Sequence, residues 1–179
     1  MARYGMLIDT RSCVGCYACL IACRRQNGLS PELSFIRFEH RERGSYPAVF
    51  QEVIPLQCMQ CAAAPCVLVC PTEASYFGPD GLVGIDHGKC IGCKYCMVAC
   101  PYQLRTFNEE LGVADKCRFC AIQTLVGGKG CTCVEACLTN ARVIGDLDDP
   151  NSEIVSLIES KNALPIAGDL TQANIFYVR

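Results

Sequence analysis

No stretch of this sequence approaches the roughly 18 consecutive apolar residues of a membrane-spanning helix, because Gly, Pro and charged residues break every cysteine-rich segment. The chain is therefore expected to have no span of its own. Its first residues, Met1-Ala2-Arg3-Tyr4-Gly5-Met6-Leu7-Ile8-Asp9, lack the apolar stretch of about 7–15 residues and the small-residue cleavage site of a secretory signal. The expectation is a protein without an export signal, soluble or held by a partner. Excess positive charge is missing too: the formal net charge is −2 and the sequence pI about 5.7, which offers no footprint for nucleic acid. Histidine is scarce. His40 and His87 are the only two; both lie in polar turn contexts and read as solvated surface residues, not as proton relays or metal ligands.

Cysteine is what the sequence has in abundance, 17 in 179 residues. In a small secreted protein such a density means a disulfide scaffold, but no export signal supports that here. The 51% hydrophobic content counts these cysteines, so the true apolar core is expected to be modest.

Grouping decides between the uses of cysteine. Cys13, Cys16, Cys19 and Cys23 have the spacing CxxCxxCxxxC, and Cys90, Cys93, Cys96 and Cys100 repeat it, followed by Pro101. Cys58, Cys61, Cys66 and Cys70 widen the middle gap to four residues and precede Pro71. In the fourth set, Cys117 and Cys120 are parted from Cys133 and Cys137 by a twelve-residue insertion containing Gly127, Gly128 and Gly130. A CxxCxxC loop gathers three thiolates on one iron–sulfur cluster, while the fourth cysteine leaves the loop to ligate a different cluster. Clusters therefore come in pairs. Zinc ribbons use two separated CxxC knuckles and have no use for a third cysteine at the same spacing. Sixteen cysteines in four sets predict four [4Fe–4S] clusters.

Each two-cluster unit needs two sets, so two ferredoxin-like lobes are expected. On spacing alone the sets could pair in order, or the middle two could pair inside a lobe built from the outer two. Gly15 and Gly92 sit inside CxxC loops, where a missing side chain permits tight turns and lets backbone N–H groups approach sulfur. Leu20-Ile21-Ala22, Val67-Leu68-Val69, Met97-Val98-Ala99 and Val134-Glu135-Ala136 lie between third and fourth cysteines and predict short helices that shield clusters from water.

Hairpins are expected between the sets. Leu33 to His40 and Ala48 to Ile54 flank the polar turn Glu42-Arg43-Gly44-Ser45. Ser75-Tyr76-Phe77 and Leu82-Val83-Gly84-Ile85 flank Pro79-Asp80-Gly81. Arg105-Thr106-Phe107 and Val113-Ala114 flank a turn from Asn108 to Gly112. Ser152 to Lys161 predicts an amphipathic helix, and Ile175 to Val178 a terminal strand. The fold class is α+β, with small units wrapped around metal.

These features resemble the four-cluster iron–sulfur subunits of molybdopterin oxidoreductases, such as those of dimethyl sulfoxide, polysulfide and thiosulfate reductases. The resemblance runs through Cys13-Val14-Gly15-Cys16, Pro65-Cys66, Cys70-Pro71-Thr72, Asp80-Gly81-Leu82-Val83, Lys89-Cys90-Ile91-Gly92-Cys93, Cys100-Pro101-Tyr102, Lys116-Cys117, Cys133-Val134-Glu135-Ala136-Cys137 and Gly145-Asp146-Leu147. It implies nested lobes: residues 1–50 and 105–150 outside, 51–104 inside, and 151–179 as a C-terminal extension. It also implies four ligand groups. These are Cys13, Cys16, Cys19 with Cys137; Cys117, Cys120, Cys133 with Cys23; Cys58, Cys61, Cys66 with Cys100; and Cys90, Cys93, Cys96 with Cys70. In nitrate reductase subunits Trp replaces the cysteine at the place of Cys93 and a three-iron cluster results; Cys93 is present here, so four cubanes follow.

The role the resemblance implies is a non-catalytic wire that relays electrons between a molybdopterin (bis-MGD) catalytic subunit and a quinone-binding membrane anchor or another redox partner. Its implied place is the cytoplasm, or the far side of the inner membrane after export, folded, with a partner bearing a twin-arginine signal. A polyferredoxin of a hydrogenase or formate dehydrogenase would use the same ligands, and a structural metal-binding module is the reading of a different class. Cys131 and Leu138 stand where the family often has prolines, which makes Cys131 a competitor of Cys133; Cys133 is preferred because its offset to Cys137 repeats the other sets, leaving Cys131 as a buried small residue. Arg24, Arg25, Lys94, Arg118 and Arg142 flank the sets and could offset cluster charge.

Overall fold

The third residue of the first CxxC in each set adopts a left-handed backbone: Gly15 (φ 64°), Gln60 (47°), Gly92 (69°) and Phe119 (53°). Local sequence thus sets the first level of structure, a sharp turn that brings neighbouring thiols to one side of the chain. Glycine adopts this conformation without a Cβ clash, and at Gly92 a Cβ would also lie 2.5 Å from the Gly112 carbonyl oxygen. Gln60 and Phe119 bear the strain of positive φ and are held there by burial, Gln60 also by hydrogen bonds to three partners. A second left-handed residue follows three positions after Cys70, Cys100 and Cys137, at Glu73, Gln103 and Asn140. The first set departs from this repeat. Its helix α1 (Ala18–Asn27) runs on past Cys23 and stops at Gly28, whose left-handed backbone lets its amide cap Arg24 and Arg25 carbonyls.

In this computed structural model, which describes residues 2–120 and 130–179, the other cysteine sets carry single-turn helices: α2 (Pro65–Leu68), α3 (Tyr95–Val98) and α4 (Thr132–Glu135). Gly127 and Gly128 of the insertion lie outside the described residues. The expected shielding by these helices does not hold for every apolar residue. One turn has one inward face, and the third cysteine of each set takes it; Leu68 and Val98 are left 85% and 86% exposed, while Val67 and Met97 are half-buried against the core.

The three expected hairpins form. Strands β2 (Ile36–Arg43) and β3 (Phe50–Gln57) pair from Ile36↔Gln57 to Arg43↔Phe50. The short hairpins β4 (Ser75–Phe77) with β5 (Val83–Ile85), and β6 (Thr106–Asn108) with β7 (Val113–Asp115), follow the second and third sets. A three-stranded sheet adds to them. Its central strand β1 (Tyr4–Asp9) pairs antiparallel with β8 (Arg142–Asp146) and parallel with the terminal strand β9 (Ile175–Val178), in the order β8-β1-β9. Strand β1 precedes the first cysteine and β8 follows the last, so this sheet joins the two ends of the cysteine-bearing region.

Period-2 alternation distributes β1 between two cores. Met6 and Ile8 enter the main core with the buried thiols. Leu7 faces the other way, into a smaller core with Val178 and with Ile154 of the helix α5 (Glu153–Ser160). Among the described residues no helix is long and apolar enough to cross a membrane.

Ile154 is fully buried in that smaller core. Ile154→Ala should lower stability by about 2–5 kcal/mol, read as an earlier denaturation midpoint under anaerobic conditions, whereas Leu170→Ala, at an exposed site, should shift it by about 0.5 kcal/mol or less.

Candidate iron–sulfur sites

Helix packing brings the cysteine sets together in a crossed order. Helix α1 of the first set packs against α4 of the fourth, and α2 of the second packs against α3 of the third. The thiols follow the helices. Cys70 of the second set lines one small cavity with Cys90, Cys93 and Cys96 of the third. Burial pushes the Cys61 thiol up to about 11, a hydrogen bond with Thr171 opposes this, and negative charge on Cys58, Cys66 and Cys100 adds to it. Burial likewise pushes Cys23 up to about 12, with Cys133 and Cys120 of the fourth set adding to the effect and Arg142 opposing it. Cys19 is raised by burial, is opposed by Arg142 and feels Cys133, Cys13 and Cys137. Cys61, Cys23 and Cys19 would stay protonated at neutral pH in the absence of iron, and binding iron would displace those protons.

Backbone and side-chain donors already point at sulfur. The amides of Ser75 and Ala141 lie 3.4 Å and 3.2 Å from the sulfurs of Cys70 and Cys137. Asn27 Nδ2 lies 3.5 Å from Cys23 Sγ. Burial would raise the Cys70 thiol, but the amides of Ser75, Thr72 and Ala74 and the Thr72 hydroxyl together hold it below the usual range. Donors so placed stabilise thiolate and are one of the levers on cluster potential.

Among the described residues, no three Cys, His, Asp or Glu side chains converge closely enough to hold a single metal ion. A cubane spreads its four ligands around a multi-atom cage and does not require them to meet at one metal ion. A second feature fits the same group. Arg105 and Arg142 are 6% and 3% exposed, and each has one guanidinium nitrogen, Arg105 Nη1 and Arg142 Nη2, with no partner among the described residues. A buried guanidinium cannot shed its charge and requires an anion. Thiolate-ligated clusters supply one, so the residues present fit the group.

Of the cations expected to offset cluster charge, Arg142 alone reaches a sulfur, with Nη1 3.9 Å from Cys133 Sγ. Arg24 donates to the Leu33 carbonyl, Arg118 to Asp115, Lys94 stands over the Phe107 ring, and Arg25 is exposed. Arg105 escaped sequence reading; the available signal was its offset, five residues past Cys100, the same as Arg142 past Cys137. Buried Gln57 and Gln60 escaped it too. Gln60 donates to the Cys117 carbonyl at 3.0 Å and accepts from the Val83 amide at 2.9 Å, tying the second set to the fourth and to β5. His40 lies on β2, not in a turn, with Nε2 2.8 Å from the Tyr17 hydroxyl, and His87 Nε2 lies 3.3 Å from Asp115 Oδ2.

Cys131 is 1% exposed and precedes α4, donating its thiol hydrogen to the Phe119 carbonyl at 3.3 Å. Turned instead toward Cys120, the same hydrogen would hold that thiol down to about 6, with burial opposing. The same contacts, to Cys120 and Cys133, push Cys131 itself far up. In the absence of iron Cys131 therefore keeps its proton and donates.

Small α+β units with paired four-cysteine sets define the class: a ferredoxin-type iron–sulfur electron carrier. The 4Fe–4S dicluster domain family matches residues 49–147, more than half the chain. Protein NrfC of Escherichia coli (strain K12) is 44% identical over 161 residues, 89% of this chain and 72% of that one. The thiosulfate reductase electron transfer subunit PhsB of Salmonella typhi is 41% identical over 161 residues, covering 89% and 83%. A tetrathionate reductase subunit of Salmonella typhimurium is 38% identical over 183 residues, covering 98% and 72%. The chain belongs to the 4Fe–4S dicluster family, and its work is electron transfer.

Cys131→Ser should leave iron and acid-labile sulfide near about sixteen each per chain in anaerobically purified protein, since the serine hydroxyl can still donate to the Phe119 carbonyl. A loss of about four of each would make Cys131 a ligand.

Proposed function

We propose that this chain is the electron-transfer subunit of a molybdopterin-dependent reductase complex, relaying electrons through four [4Fe–4S] clusters. The ligand groups are Cys13, Cys16, Cys19 with Cys137; Cys117, Cys120, Cys133 with Cys23; Cys58, Cys61, Cys66 with Cys100; and Cys90, Cys93, Cys96 with Cys70. The observation that carries this reading is the cavity shared by Cys70 and the three loop cysteines of the third set. It is the arrangement in which a fourth cysteine leaves its own loop to complete a neighbour's cluster. The packing of α1 on α4 and α2 on α3 supports two lobes, one nested in the other. Residues 51–104 form the inner lobe, residues 1–50 and 105–150 the outer, and 151–179 the extension that adds α5 and β9 to the sheet.

Partners follow from the relatives, whose names place them in thiosulfate and tetrathionate reductases. One partner is a molybdopterin catalytic subunit; a quinone-binding membrane subunit is the other, and through it the chain would reach a bilayer. Two exposed ligands support such a two-ended role. Cys16 and Cys93 are the exposed cysteines among the described residues; they belong to the first and last clusters of the relay and are the places where electrons enter and leave. Each has beside it an equivalent apolar residue, Val14 or Ile91, 66% exposed, suited to contact with a partner.

Cys93→Ser and Cys70→Ser should damage the same cluster, converting it to a three-iron form or removing it, and spare the other three. Electron paramagnetic resonance with spin counting reads this directly. Different clusters lost in the two variants would overturn the ligand groups, and colourless, zinc-loaded protein after anaerobic purification would overturn the function.

A further inference from the structure

One buried arginine follows the last cysteine of each proposed cluster pair at the same offset. Arg105 lies five residues after Cys100 and Arg142 five after Cys137. At the matching place after the other two fourth cysteines stand Ser75 and Gly28. Ser75 is itself the partner of Arg105, whose Nη2 donates to Ser75 Oγ at 2.7 Å. Arg142 is anchored in the other lobe by Nη1, which donates to buried Gln57 Oε1. In each case the anchored nitrogen fixes the guanidinium plane and another nitrogen stays buried without a partner among the described residues.

The sulfurs around each guanidinium come from two clusters, not one. Arg105 lines the cavity of Cys70, Cys90, Cys93 and Cys96 and interacts electrostatically with Cys66 and Cys58 of the adjoining group as well as with Cys96. Arg142 lies 3.9 Å from Cys133 Sγ and interacts with Cys19 and Cys117 too, sulfurs of both outer-lobe clusters. One cation therefore serves two clusters, twice in the molecule. A cluster becomes more negative by one charge on reduction, so a fixed positive charge at short range favours its reduced form.

We propose that Arg105 and Arg142 are paired potential-setting residues, each donating its unpartnered N–H between two clusters, Arg105 those of the inner lobe and Arg142 those of the outer, and raising the reduction potentials of both. This rests on the ligand groups given above. With a shared cation, the two clusters of a lobe move together when that residue changes, and the other lobe stays where it was. Arg105 and Arg142 thus allow the potentials of the two halves of the wire to be set independently.

The test is a redox titration followed by electron paramagnetic resonance on the intact, cluster-loaded protein, with iron and sulfide measured first. Wild-type protein holding far fewer than about sixteen iron atoms overturns the underlying reading, not this inference alone. With clusters intact, Arg105→Gln should lower the potentials of the two inner-lobe clusters, about a tenfold fall in the reduced-to-oxidised ratio at fixed potential, or 59 mV for one electron. Arg142→Gln should do the same to the two outer-lobe clusters. Arg105→Lys and Arg142→Lys should each restore most of the shift. Full iron content with unmoved potentials, or an equal shift in all four clusters, overturns the proposal. Should a glutamine variant lose its clusters, pulsed resonance of wild-type protein labelled with guanidino-¹⁵N arginine decides: coupling of arginine nitrogen to the reduced clusters, lost in the lysine variants, supports it, and no coupling overturns it.

Discussion

Buried sulfur is the constraint around which the molecule is arranged. Cys19, Cys23, Cys61, Cys66, Cys96, Cys117 and Cys133 lie in the main core with Met6, Ile8, Ile54 and Leu56. Unlike aliphatic groups, thiols in that position oppose their own function: burial favours the neutral form, and the neutral form does not bind iron. Iron resolves the conflict by taking the place of the protons, so the core is completed by inorganic chemistry and folding is linked to cluster insertion. Peptide amides aimed at Cys70 and Cys137, and the guanidiniums of Arg105 and Arg142, are what the protein contributes to holding that charge.

A repeated backbone device builds the four sites, and departures from it tie them together. Left-handed residues recur at the third place of the first CxxC in each set and after three of the four fourth cysteines. The first set breaks the pattern by extending its helix to Asn27, which brings Cys23 to the thiols of the fourth set. Gln60 keeps the left-handed backbone but departs in residue type, standing where two other sets have glycine and accepting strain in return for hydrogen bonds that reach the Cys117 carbonyl and the Val83 amide. The non-repeating residues are thus the ones that fix one site relative to another.

This division explains what could be read from sequence. Cysteine spacing, the Pro-Asp-Gly turn before Leu82 and the apolar periodicity from Ser152 to Lys161 are local signals, and the hairpins and α5 formed where those signals stood. The pairing of β1 with β8 bridges Tyr4 and Asp146; neither strand carries its partner's address, because pairing across that separation is decided by the packing of the whole chain. Leu68 and Val98 misled for a related reason. Both are apolar and lie between ligands, yet a single helical turn that turns Cys66 or Cys96 inward must turn another residue out. Arg105 lay hidden as an ordinary charge until the offset it shares with Arg142 was seen beside their common burial.

Exposure varies along the proposed relay in a way that suits a conductor. The groups of Cys13, Cys16, Cys19 with Cys137 and of Cys90, Cys93, Cys96 with Cys70 each contain one exposed, one buried and two half-buried cysteines. Those of the two middle groups are all buried or half-buried. Low-dielectric surroundings penalise the extra negative charge of a reduced cluster, so a deeply buried site would be hard to reduce unless a counter-charge were buried with it. An arginine shared within each lobe meets that need on both sides of the step between lobes. On the proposed reading the interior of the wire would stay reducible with less opening to water than its two ends, where the exposed cysteines stand.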